Sequence, residues 1–97
     1  MPEIRINRTG RLGDEPETGH NRWHPDIEPK LSVNAGDIVT LETRDAADGQ
    51  IKRGMTVDDL ATLDKAVGHP LTGPVWVNGA KPGDLLEIEF VELQPEP

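Results

Sequence analysis

Two imidazoles, a carboxamide, a guanidinium and a carboxylate fall close together in Gly19-His20-Asn21-Arg22-Trp23-His24-Pro25-Asp26. His20 and His24 are four positions apart, the spacing that on a helix brings two rings to one metal ion. Pro25 argues against a helix at His24, because the residue before proline avoids the α region. A loop can still converge the two rings. In the competing reading the loop is a rigid support: Trp23 anchors an apolar pocket and the histidines bond to backbone carbonyls. Spacing leaves both open.

A second cluster, Glu42-Thr43-Arg44-Asp45-Ala46-Ala47-Asp48-Gly49-Gln50, follows directly on a run of strand-forming residues. Loops at strand ends are where rigid scaffolds present functional side chains. Its carboxylates suit a hard metal ion or a general base. A solvated acidic loop accounts for the composition too, and the spacing does not match an EF-hand. The third cluster, His69-Pro70-Leu71-Thr72-Gly73-Pro74, sets a defined backbone path and reads as a turn or as a place to present polar tips. The chain has no Gly-x-Ser-x-Gly elbow, phosphate loop or dinucleotide fingerprint. With no cysteine and Ser32 as its one serine, nucleophilic chemistry would fall to Thr, Lys or an activated water.

The elements available to hold these clusters are few. The 97 residues suffice for a single small domain, 1–97. Hydrophobic residues are 34% of them, with one Phe, two Trp and no Tyr, a thin supply for a core. Nine prolines and ten glycines favour turns over long helices. Without cysteine, no disulfide supplements that core, so burial against further polypeptide or a partner subunit is expected. The net charge of -8 argues against nucleic acid as a partner. No stretch is long and apolar enough to predict a membrane helix, and the start of the chain lacks a signal-peptide core, so the default expectation is a cytoplasmic protein.

Periodicity predicts a mainly β fold, a small sandwich-like or barrel-like fragment, with one short helix near residues 57–66. Ile4 and Ile6 alternate with Arg5 in a short edge strand. Residues 9–29 form a long ordered loop. The β-branched run Ile38-Val39-Thr40-Leu41-Glu42-Thr43 predicts a strand, as do Val75-Trp76-Val77 and Leu85 to Leu93. In the last, Leu86, Ile88 and Phe90 share one face and Glu87 and Glu89 the other. Thr56 with Asp59 approaches a capping box, and Val57, Leu60 and Ala61 give the helix an apolar stripe. Val33-Asn-Ala-Gly-Asp37 is echoed by Val77-Asn-Gly-Ala-Lys-Pro-Gly-Asp84, by duplication or by shared turn chemistry.

In series, His20-Asn-Arg-Trp-His-Pro-Asp-Ile27, the Gly36-Asp37 strand, Leu41-Glu-Thr-Arg-Asp-Ala46 with Gln50, Asp58-Asp59-Leu60, Asp64, His69-Pro-Leu-Thr-Gly-Pro74 and Val77 to Asp84 resemble the N-terminal region of the acetamidase/formamidase family. The resemblance runs from about residue 19 to 93, and the His20 to Pro25 run is closer to the formamidase branch. It implies a largely β, cytoplasmic, homo-oligomeric enzyme that hydrolyses the C–N bond of small amides to ammonia and a carboxylate. It also implies a divalent metal, Zn or Ca, and partnership with the remainder of the amidase or a second chain. The chain alone is expected to be inactive. On this reading Asp45 is the catalytic, metal-binding or water-positioning carboxylate, Gln50 an orienting amide, and His20 and His24 line the entrance for substrate. The alternative is a stand-alone, non-catalytic β module that binds a partner chain or small ligand.

Overall fold

A computed structural model describes residues 2–95. Six short strands pair in three two-stranded ladders: β1 (Glu3–Ile4), β2 (Gly19–His20), β3 (Leu31–Val33), β4 (Thr40–Leu41), β5 (Leu71–Thr72) and β6 (Val75–Val77). β1 runs parallel to β4, β2 antiparallel to β5, and β3 parallel to β6. The β-rich expectation stands. Within residues 9–29 lie two single turns of 3-10 helix, Leu12–Asp14 and Pro16–Thr18, followed by β2.

The two echoed segments lie side by side. Val33 pairs with Val77, and the next residues continue the contact: the Asn78 N–H donates to the Val33 carbonyl at 2.8 Å and the Asn78 amide to Asn34 Oδ1 at 2.9 Å. Each segment ends in the same turn. Asp37 and Asp84 return backbone N–H bonds to Asn34 and Lys81, and their carboxylates accept from the N–H groups of those same residues at 2.8 Å. Gly36 and Gly83 sit at φ +89 and +94, where a side chain would be strained. The echo is therefore one turn built twice, directly after β3 and, with Asn78 to Ala80 intervening, after β6.

The helix is shorter than the apolar stripe predicts. Thr56 and Asp59 form the capping box, and α1 covers Val57–Leu60. The Thr62 hydroxyl then bonds back to the Asp59 carbonyl at 2.7 Å, and the Asp64 N–H is taken by Gln50 Oε1 at 2.8 Å. With these backbone groups engaged by side chains, the ladder does not propagate. A separate 3-10 turn, Lys65–Val67, follows.

Leu85 to Leu93, which alternation predicts as a strand, forms no ladder among the described residues. Alternation marks a segment fit to pair, and no described strand bonds to it. Buried apolar side chains are equally scarce: among the described residues they are Ile4 and Val33, each 8% exposed, and Pro70. The accessible surface is 8160 Å², whereas a compact monomer of 10.6 kDa exposes about 5,500 Å². The radius of gyration, 15.5 Å, likewise exceeds the roughly 12.5 Å expected for a domain of this length.

Candidate functional site

What the fold lacks in apolar core it replaces with long-range polar contacts around the end of β4. The Arg44 side chain, 6% exposed, donates to Glu15 Oε2 at 2.9 Å and to the Gly10 carbonyl at 3.2 Å. Glu15 Oε1 in turn accepts the Asn7 N–H at 2.8 Å. Glu42 Oε1 accepts the Ile6 N–H at 2.9 Å, and the Glu42 carbonyl accepts the Thr72 hydroxyl at 2.6 Å. Charge-assisted bonds, which are stronger than neutral ones, thus join the loop to the strand end, and the neutral Thr72 bond adds β5.

The loop after β4 turns sharply. Asp45 accepts the N–H groups of Ala47 and Gly49, both at 2.9 Å, in a turn closed by the side chain. Asp48, at φ 53, and Gly49, at φ +80, then take left-handed conformations. Asp tolerates that region better than most residues. The turn sends the Asp48 carboxylate inward, where it is 2% exposed and accepts the Leu12 N–H at 3.0 and 3.2 Å. Local reading overlooks Asp48 and Arg44 because their partners lie about thirty or more positions away.

Two of the four candidate residues lie in separate open concavities. Asp45 lies in one, with Arg8, Thr43, Arg44 and Asp48 in its walls; His20 lies in the other, with Asn21, Arg22 and Ile27. Leu12 joins them, since it lines the second and hangs from Asp48 in the first. His24 and Gln50 line neither. Gln50 instead uses its amide to hold the loop: Nε2 donates to the carbonyls of Ala47 and Asp64, and Oε1 accepts the Asp64 N–H. Asn21 holds the neighbouring turn through the Ala66 carbonyl at 2.8 Å.

The two histidines are set to opposite tasks. His20 Nδ1 is 2.6 Å from the Arg22 carbonyl, a contact that needs a proton on Nδ1 and leaves a lone pair on Nε2. His24 Nδ1 accepts the Asp26 N–H at 3.0 Å, so a neutral His24 carries its proton on Nε2. His20 offers a base or ligand, and His24 a donor. Asp26 Oδ2 is 3.8 Å from His24 Nδ1, a loose contact between two exposed groups. Trp23 does not anchor a pocket. It is 86% exposed and meets the edge of the His20 ring, with centroids 6.5 Å apart.

No group of three or more His, Asp or Glu that could hold a metal occurs among the described residues. Both Asp45 oxygens already accept backbone N–H bonds. These residues do not by themselves make a site for the divalent ion that the resemblance implies.

The acetamidase/formamidase family model matches residues 5–97. The chain belongs to this family. It is 37% identical to an acetamidase of Mycolicibacterium smegmatis across all of its own length and 24% of that protein. It is 42% identical to a putative formamidase of Schizosaccharomyces pombe, over 78% of this chain and 18% of the relative. A solved structure of a gamma lactamase from Delftia acidovorans superimposes with a TM-score of 0.76 at 37% identity, covering 86% of this chain and 20% of that one. The chain therefore spans about a fifth of the length of the relatives that it matches. No helix among the described residues is long and apolar enough to cross a membrane.

Proposed function

We propose that this chain supplies the loop-bearing scaffold of an amide hydrolase that converts small amides of the formamide or acetamide type to ammonia and a carboxylate. The match over residues 5–97 carries this reading. The geometry supports it in one respect: side-chain bonds fix both candidate loops from below and leave polar tips outward, as preorganised sites require. Hydrolysis needs a water activated against the amide carbonyl and donors for the oxyanion. Asp45 is exposed and rigidly held, so it orients the attacking water through its remaining lone pairs. His20 Nε2 accepts a proton at the entrance, and His24 Nε2–H donates to the substrate. Gln50 acts from below by fixing the Asp45 loop. The reaction centre is completed by polypeptide corresponding to the rest of the relatives.

Ammonia release from formamide tests this reading. This chain alone is expected to give the blank rate, and its complex with the rest of an amidase a rate well above it. Asp45→Asn keeps one carbonyl oxygen for the turn and is expected to lower turnover by about 100-fold. Unchanged turnover removes Asp45 from the chemistry.

A further inference from the structure

Six of the thirteen exposed large apolar residues among the described residues fall in one stretch. Leu85, Leu86, Ile88, Phe90, Val91 and Leu93 are 98, 60, 67, 76, 67 and 77% exposed. Monomeric proteins seldom leave such a contiguous stretch in water. The segment makes no ladder among the described residues, and as a strand its alternation would place Leu86, Ile88 and Phe90 on one face. An unpaired strand of this kind is a template for another strand. The whole chain exposes roughly 2,700 Å² more than a compact monomer of its mass, and this stretch contributes to the excess.

Charge decides what covers it. Glu87 and Glu89 occupy the other face, and the chain carries a net charge of -8. Antiparallel pairing of two copies about Ile88 would set Glu87 against Glu89, and parallel pairing in register would set each glutamate against itself. Like charges directly opposite destabilise a sheet. A second copy is thus disfavoured. The relatives extend over roughly four times the length of this chain, more than enough to supply the missing strand.

We propose that residues 85–93 are a docking strand, added edge-on to a sheet in the remainder of an amidase polypeptide of this family. The receiving strand carries lysine or arginine opposite Glu87 and Glu89 and apolar residues on its other face. This rests on the family reading above and gives it a point of attachment.

The test co-expresses the full chain with the acetamidase relative from which the matched stretch has been deleted. The two are expected to purify in equal amounts, with the amides of residues 85–93 exchanging at least about 10-fold more slowly than in the free chain. Ile88→Pro removes a ladder N–H. Because residues 85–93 make no hydrogen bond to the rest among the described residues, this variant leaves the circular dichroism of the free chain unchanged and is expected to abolish the complex. Glu87→Lys with Glu89→Lys is expected to weaken it, and more so at low salt. Failure of the pair to purify together, a complex indifferent to Ile88→Pro, protection confined to other residues, or a homodimer of the chain each overturns the docking strand. A complex that forms through residues 85–93 but releases no ammonia keeps the docking strand and counts against the hydrolase reading instead.

Discussion

The turn that buries Asp48 and the segment from Leu85 to Leu93 solve opposite problems. In the first, a carboxylate 2% exposed, a guanidinium 6% exposed and a strand end are locked together by bonds that span the sequence. In the second, six large apolar side chains face water. Ordinary domains bury the apolar residues and expose the charges. The contrast sets polar cross-links, which join distant parts of the chain, against an apolar segment that makes no ladder among the described residues.

Removing a cross-link is expected to do the most damage. Arg44→Ala leaves the part-buried Glu15 carboxylate without its cationic partner and should cost about 2 kcal/mol. For a domain with so small a core, that abolishes a cooperative urea transition. Arg44→Lys retains the charge but loses the fork, and should recover only part of the loss. Gly19→Ala comes next. A Cβ there collides with the Leu71 carbonyl, parting β2 from β5 at about 1–3 kcal/mol, read as a lower melting temperature. Thr56→Ala removes a cap from a four-residue helix and should cost about 1 kcal/mol by the same measurement. Ile88→Lys sharpens the contrast from the other side. Although it changes a large apolar residue, it should move the stability of the free chain by less than about 0.5 kcal/mol. A larger loss would mean that Ile88 packs within the chain.

Features that depend on near neighbours were legible in the sequence. The capping box at Thr56 and Asp59, the Gly-Asp turns and the β-rich character follow from local chemistry. Val33 and Val77 could be recognised as an echo, but their pairing could not, because a parallel ladder joins segments that share no local signal. The strand at Leu85 to Leu93 shows the reverse failure: alternation reports a strand's faces and says nothing about whether a partner is present. In the site, Asp45 and Gln50 were singled out because they are polar residues in a strand-end loop. Asp48 and Arg44 look like ordinary members of the same acidic loop until long-range folding brings Leu12 and Glu15 against them. The reading in which Trp23 anchors an apolar pocket fails, because the ring is exposed and meets only the edge of His20 among the ring contacts of the described residues.

Hydrogen exchange on the free chain, with its monomeric mass confirmed, compares the two regions directly. The Leu12 N–H, held by Asp48, and the Glu42 N–H, held by the Ile4 carbonyl, should exchange slowly, while the amides of Leu86, Ile88 and Phe90 should exchange at the rate of unstructured peptide. Protection at residues 86–90 equal to or greater than that at Leu12 would show that the apolar segment is already packed in the free chain, and would contradict the division between a polar scaffold and a strand held for a partner.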